Sequence, residues 1–472
     1  MTNSVARLNL IAGANPGMRL LLIQLFLLLG IMSLHAAEPR QKSDKILDLK
    51  LAVQAAQSND PWLVGNRHKE EALLSRSIAA GSLPDPKISL NLINIAADSF
   101  NFSQEAMTNA KIGVSQAFPA GDTLDIRKKQ LEIKGSQMPF QRENRRGKIV
   151  VTVGQLWLNE YNARESIAII KKNIPLFQQL VDIAAASYST ALGKTRQQDL
   201  VRAQLELTRL EDRLTILHQR QEMFQERLSE WLNGYFLDKY SGDASQTGHP
   251  QMANFEIARK LPDIKLLNAP LYLSPAPTGQ EILFEKLSSH PAVKNLEQKI
   301  RASEAGIDLA QQKYKPAWGV NAGYGYRASD RFGIDRSDFF SVGVTFSVPL
   351  FTANRQDKEV SSAKSMASAV RTEKWQLLRK LMASFETAKA QLLRLNDRQK
   401  LYRDKLLPQM SEQAEASLTA YTNDDGDFAE VMRSRIAEMN AEIDALNIDV
   451  GRQKAILQLN YLFMTRADQI IG

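Results

Sequence analysis

Apolar and polar positions alternate in four short stretches of this chain and recur at helical spacing almost everywhere else. Ile88, Leu90 and Leu92 alternate with polar neighbours, as do Ile112, Val114 and Phe118, although Gln116 interrupts the apolar side of that second stretch. The alternation is cleaner at Trp318, Val320, Ala322, Tyr324 and Tyr326 and at Phe340, Val342, Val344, Phe346 and Val348. A period of two puts these side chains on one face of a strand. Prolines punctuate each stretch: Pro84, Pro86 and Pro316 stand before, Pro119 and Pro349 after. Proline removes a backbone donor and biases its predecessor away from helix, so these five mark strand boundaries.

The helical patterns are long. Between Asp122 and Ser187 two prolines, Pro139 and Pro175, interrupt the run, and between Asn354 and Ala420 only Pro408 does. At 1.5 Å per residue a helix of the first size reaches about 100 Å, too long for one compact domain. Two returning helices are expected over 195–231 and 428–464. Their apolar positions, Leu200, Leu207, Leu210, Leu214 and Leu217 in the first and Ile436, Met439, Ile443, Ile448 and Ile456 in the second, are unevenly spaced. That irregularity predicts a helical bundle in preference to a strict heptad coil.

These elements occur twice. Asn59-Asp60-Pro61 corresponds to Ser289-His290-Pro291, and Phe118-Pro119 to Val348-Pro349, at an offset of 230 (291 − 61 and 349 − 119). Farther on, Pro175 pairs with Pro408, Tyr188 with Tyr421 and Gly193 with Gly426 at an offset of 233 (408 − 175, 421 − 188 and 426 − 193). The expectation is a duplicated unit of helix, strand, strand, long helix and helix over 44–232 and 281–466, the first helix starting near Ile46. The stretch 233–280, with Pro250, Pro262, Pro270, Pro275 and Pro277, reads as an inter-repeat linker with short elements of its own.

Composition narrows the picture. The chain has no cysteine, which excludes a disulfide framework, a thiolate metal site and an acylated N-terminal cysteine. Its net charge of +8 comes from Lys and Arg interspersed with Glu and Asp along helices, with no basic stripe, so no nucleic-acid partner is expected. The sharpest apolar run, Leu20 to Leu34 behind Arg19, is shorter than the about 20 residues of a spanning helix and suits a secretory signal. Residues 1–37 therefore read as a signal peptide, with the first seventeen as an upstream extension and removal near Ala36 or Ala37; a retained anchor is the alternative.

About ten residues of alternating pattern is what a tilted strand needs to cross a bilayer. An open sheet edge in hydrocarbon leaves amides unpaired at several kcal/mol each, so four such strands must find partner edges on other subunits. Three subunits give twelve strands, and two or four also give even totals. Gly319, Gly323, Gly325 and Gly343 are read as easing curvature or close approach.

At this point the sequence resembles the outer membrane efflux protein family over roughly residues 44–466. The resemblance rests on the duplication, the Asn-Asp-Pro and His-Pro openings, the turn Ser347-Val348-Pro349-Leu350-Phe351, the small-residue helix around Ala302, Glu304, Ala305, Leu309 and Ala310, and the Tyr-x4-Gly turns. It implies a mixed α/β membrane protein: a homotrimer whose twelve-stranded β-barrel sits in the outer membrane and continues as a long periplasmic α-helical barrel. Implied partners are outer-membrane lipid, a periplasmic adaptor and an inner-membrane pump of the RND type. Gly81-Ser82-Leu83-Pro84-Asp85-Pro86-Lys87 and Gly113-Val114-Ser115-Gln116-Ala117-Phe118-Pro119 look similar to the heavy-metal branch, against the alternative of a drug, small-organic-molecule or type I secretion channel.

The helical turns at Tyr188, Gly193, Lys194 and Arg196 and at Tyr421 and Gly426 are expected at the periplasmic tips, with glycines in left-handed conformation reversing the chain. Asp424, Asp425 and Asp427 concentrate charge at the second turn. Multiplied by subunit symmetry, they would form carboxylate rings that attract cations and act as a gate; helix capping by Asp427 is the bland alternative. No enzyme is expected. The histidines are dispersed, no His-Glu-x-x-His or Gly-rich phosphate loop occurs, the methionines form no ladder, and neither a metal site nor a cofactor is called for. A periplasmic adaptor or a structural scaffold would account for the helices and leave the four strands unexplained.

Overall fold

A computed structural model describes residues 45–189, 197–233, 255–272, 278–423 and 426–471; the expected signal segment 1–37 lies outside them. In chain order the elements are β1 (Lys45–Leu47), α1 (Leu49–Ser58), α2 (Pro61–Gly81), β2 (Lys87–Ile93), β3 (Asn109–Phe118), α3 (Thr123–Gly135), α4 (Gln137–Ser189) and α5 (Gln197–Leu232). They continue with β4 (Phe255–Ile257), α6 (Gln280–Ser288), α7 (Pro291–Gln311), β5 (Trp318–Tyr326), β6 (Phe339–Phe346), α8 (Gln356–Leu401), α9 (Leu407–Thr422) and α10 (Phe428–Phe463). The chain divides into two compact units. The smaller contains β1 and the first two residues of β4, and these two strands pair. All that follows concerns the larger.

The repeat is visible in element lengths. Helices α2 and α7 are both 21 residues long and start 230 positions apart (291 − 61). The returning helices α5 and α10 are both 36 residues long.

The expected first helix of each copy is in fact two. The break falls at Asn59-Asp60 and Ser289-His290, because each motif caps a new helix whose first residue is proline, the one position where a missing N–H costs nothing. Asp60 accepts from Trp62 N at 3.1 Å and pairs with Arg145 Nε at 2.7 Å. Asn59 Nδ2 donates to the carbonyl of Leu232 at 2.6 Å, tying the end of α5 to this corner. In the second copy His290 Nδ1 accepts from Ala292 N at 3.1 Å, and its ring meets Tyr461 edge-on at 5.1 Å. Burial holds the His290 imidazole at a pKa of about 4, neutral and fit to accept.

The long helices α4 and α8 contain 53 and 46 residues, about 80 and 69 Å at the helical rise. A short break at Ser136 separates α3 from α4 where one run was expected. The two equivalent prolines are handled differently. Helix α4 runs through Pro175, whereas Pro408 is the second residue of α9, just after a π-helical turn at Tyr402–Leu406. There Leu407 N donates to Tyr402 O, a wider turn that makes room for the ring.

One core cluster joins α4, α5 and α10 through Ile170, Phe177, Leu180, Leu210, Met432 and Met439, all buried. Another gathers Tyr272, Phe385 and Phe463, ring centroids 5.4–6.4 Å apart. Part of the inter-repeat segment lies on these helices: Arg164 donates to the carbonyls of Ile257 and Ala258, and Leu267 N donates to Asn460 Oδ1 at 2.8 Å. Among the described residues no helix is long and apolar enough to cross a membrane.

Candidate functional site

The four strands form one antiparallel sheet in the order β2-β3-β5-β6, so the two copies join at β3 and β5. The register aligns every alternating stretch. Ile88 stands opposite Val114, Val114 opposite Ala322 and Ala322 opposite Val342; the next row is Leu90, Ile112, Tyr324 and Phe340. Directly opposed residues share a face, so one side of the sheet is apolar along its whole length.

That side has nothing packed on it. Leu90 is 78% exposed, Phe340 74%, Ile88 72% and Val342 63%. Aromatic rings gather at both ends of the band: Phe118 stacks on Trp318 at 4.3 Å, with Phe346 opposite Trp318, and Phe102 stacks on Tyr326 at 6.5 Å.

The opposite face is polar and small. It presents Lys87, Ser89, Asn91 and Lys111 along β2 and β3, and mostly Asn, Ser, Thr and Gly along β5 and β6. The glycines serve this face as seats for neighbouring side chains. A Cβ on Gly343 would lie 2.6 Å from Asn321 Oδ1, and one on Gly323 would lie 2.4 Å from Lys111 Cε.

Gln116, expected to spoil the apolar side, has its amide satisfied: Nε2 donates to Pro84 O at 2.8 Å and to Ala117 O at 3.1 Å. The proline segments bound the sheet, with β2 starting at Lys87 just after Pro86, β3 ending at Phe118 just before Pro119, β5 starting two residues after Pro316 and β6 ending three before Pro349.

At the far end of the helices, Gly193, Lys194, Arg196, Asp424 and Asp425 lie outside the described residues. Tyr188 is exposed near the end of α4. Tyr421 packs edge-on against Phe428 at 5.6 Å. Asp427 is the N-cap of α10 and accepts from Ala429 N at 3.2 Å. Gly426 corrects the sequence expectation. Its φ lies outside the left-handed range, and it is needed for close approach, since a Cβ there would sit 2.5 Å from Tyr421 N.

The pattern missed two buried features. Arg435 in α10, 9% exposed, donates to Glu415 of α9 at 2.6 Å and to Glu438 at 2.9 Å, clamping the two helices. Glu160 in α4 is 3% exposed, and desolvation raises its pKa to about 7 against the opposing pull of Arg164. Neither carries a motif, because burial decides both. Among the described residues no group of three or more His, Asp or Glu side chains could hold a metal.

Residues 283–460 match the model of the outer membrane efflux protein family. Over this stretch the chain is similar to that family. Comparison with curated protein sequences finds no match. Solved structures are similar along almost the whole chain. A membrane protein from Pseudomonas aeruginosa has a TM-score of 0.69 at 16% identity, covering 91% of this chain and 98% of that one. The CmeC outer membrane channel of Campylobacter jejuni has a TM-score of 0.68 at 13% identity, covering 88% and 85%. The MtrE outer membrane channel of Neisseria gonorrhoeae, described in its open state, has a TM-score of 0.66 at 14% identity, covering 89% of each chain. These likenesses establish a shared mixed α/β fold.

Proposed function

We propose that this chain is one subunit of a homotrimeric outer-membrane channel in a tripartite efflux system, passively conducting substrates from an inner-membrane pump and a periplasmic adaptor to the exterior. The observation that carries the reading is the two-faced sheet with unpaired outer strands. Eleven apolar side chains of one face, from Ile88 to Phe346, are 47–78% exposed. In water such a patch exceeds what monomeric proteins tolerate, whereas in a bilayer it is the expected outer surface of a barrel. The edges β2 and β6 then meet those of neighbouring copies, and three copies close twelve strands.

The polar glycine-rich face lines the passage in this reading. The helices continue it into the periplasm, where the RND-type pump and the adaptor engage the tips. Asp424, Asp425 and Asp427 are proposed as a cation-favouring gate at the second tip, although the capping role of Asp427 ties up one of its oxygens. Heavy-metal cations are the proposed cargo, on the sequence resemblance alone.

Export of Co, Ni, Zn, Cd and Cu ions beside small organic compounds, in cells lacking only this chain, tests the reading. Loss of metal export supports it. Loss confined to organic compounds turns the assignment to drug efflux, and loss of neither ends it. For the gate, replacing the three aspartates with Asn should lower single-channel cation preference.

A further inference from the structure

We infer that the membrane-crossing part of the pore is a basic collar, centred on Lys111, that binds multivalent anions entering from the loop side. This rests on the channel reading above and goes beyond it, because it assigns this segment an ionic preference opposite to that of the acidic tip. Strands β2, β3, β5 and β6 contain no Asp or Glu. Their only charged residues are Lys87 and Lys111, and both stand on the polar face.

Lys111 is placed to act on the passage. It lies in the row Asn91, Lys111, Gly325 and Phe339. Its aliphatic stem crosses Gly323 so closely that a Cβ there would meet Cε at 2.4 Å and Nζ at 3.3 Å. The glycines around it raise no side chain above the sheet, so the lysine is the tallest group on its part of the face. A further cation stands beside the same row: the Arg327 guanidinium lies 4.5 Å over the Phe339 ring and is held by the carbonyls of Ser337 and Ala106.

The nearest acids in the β5–β6 connection are engaged by the loop itself. Asp330 accepts from the backbone N–H groups of Phe332 and Ile334, Asp335 from Ser329 Oγ, and Asp338 from Arg327 N. The β5–β6 connection balances its own charges, Asp330, Asp335 and Asp338 against Arg327, Arg331 and Arg336, and the β2–β3 connection adds Asp98 and Glu105 outside the strands. Three copies around one axis would give a ring of positive charge about 8–10 Å from the centre of a twelve-stranded barrel. A trivalent anion on that axis at ordinary ionic strength would be bound roughly tenfold more tightly than without the ring.

Single-channel recording of the full chain in planar bilayers, with hexacyanocobaltate(III) added on either side, tests the collar. The expected result is block from the loop side that weakens roughly tenfold in Lys111→Gln and persists in Lys111→Arg, which keeps the charge. Gly323→Ala, which displaces the stem and leaves the charge, should alter block without abolishing it. Equal block of the native and Lys111→Gln channels, or block from the tip side only, overturns the collar and leaves the channel standing. Failure of the native chain to form any channel overturns the channel reading and the collar with it.

Discussion

Placing one charge on each face of the sheet at the same depth separates a membrane wall from a sheet in water. Val342 and Asn321 suit the comparison. Val342 stands opposite Ala322 in the central apolar row, and Asn321 is the neighbour of Ala322 on the polar face. A lysine at Val342 lies three residues from the nearer strand end at Phe339, about 10 Å along the strand, and its side chain spans only about two thirds of that. It cannot snorkel to water, so it should bear the midplane cost for a barrel, about 2–4 kcal/mol per subunit and three times that per trimer.

Asn321→Lys should cost under about 0.5 kcal/mol, as for an exposed substitution. The only other charge in its row, Lys87, is two strands away, about 9.6 Å, and screened by solvent. Folding into lipid vesicles followed by denaturant titration measures both variants. Equal costs of a few tenths of a kcal/mol would refute the membrane placement, because Val342, 63% exposed in the isolated chain, would then be facing water.

Further expectations concern buried groups and the tip. Glu160 titrates near pH 7 in the fold and near 4.5 unfolded, so the native state holds the extra proton between these values and stability falls as pH rises through them, by about 3 kcal/mol. Glu160→Gln should remove that loss in denaturant titrations at pH 5 and 8; an unchanged slope would reject the assignment. His290, held at about 4 against 6.5 unfolded, works in the opposite sense, its contribution present above pH 6.5 and lost as pH falls through 4. His290→Asn keeps a capping acceptor and should flatten the acid limb of the stability curve. At the tip, Gly426→Ala forces a Cβ against the Tyr421 backbone and should cost about 1–3 kcal/mol, read as faster amide exchange in the last turn of α9 and the first of α10. Native exchange rates there would dismiss the close approach.

The strands were legible because their partition is binary: with a period of two, each residue faces one side, and the alternation survives whatever the sheet later packs against. The duplication was legible for a related reason, since Asp60-Pro61 and His290-Pro291 mark helix starts by local chemistry that needs no tertiary context. What escaped depends on distance. Gln116 read as a flaw because Pro84, its acceptor, is 32 residues away. The strand glycines were read as easing curvature or close approach, and the neighbour that approaches stayed hidden because nothing in β5 or β6 announces Lys111 from β3. The glycine between α9 and α10 was given the wrong physics. A left-handed turn and a tight backbone crossing both demand glycine, and sequence alone does not separate them.

The duplication also suggests a register for how one copy would pair with the next. Stepping across the sheet from β2 to β5 leads from Ile88 through Val114 to Ala322. The repeat equivalent of Ile88 is Trp318 (88 + 230), so the first half advances the ladder by four residues (322 − 318). The β5–β6 hairpin is shifted by two residues, since the equivalent of Val114 is Val344 (114 + 230) whereas Trp318 pairs with Phe346; if the whole half nevertheless advances by four, Phe346 meets the residue four beyond Ile88, which is Leu92 of the neighbouring copy. Phe346 opposite Leu92 brings Val348 opposite Leu90 and Leu350 opposite Ile88, matching exposed apolar side chains along the whole edge, and it puts Ser347 against Asn91 on the polar face. Since the chain has no cysteine, Asn91→Cys with Ser347→Cys introduces one unambiguous pair, expected to yield a disulfide-linked trimer on oxidation in membranes. Preferential linkage of Asn91→Cys with Thr345→Cys would mean that the two halves of the subunit do not step alike, and the equal-advance argument would fail although the barrel remained.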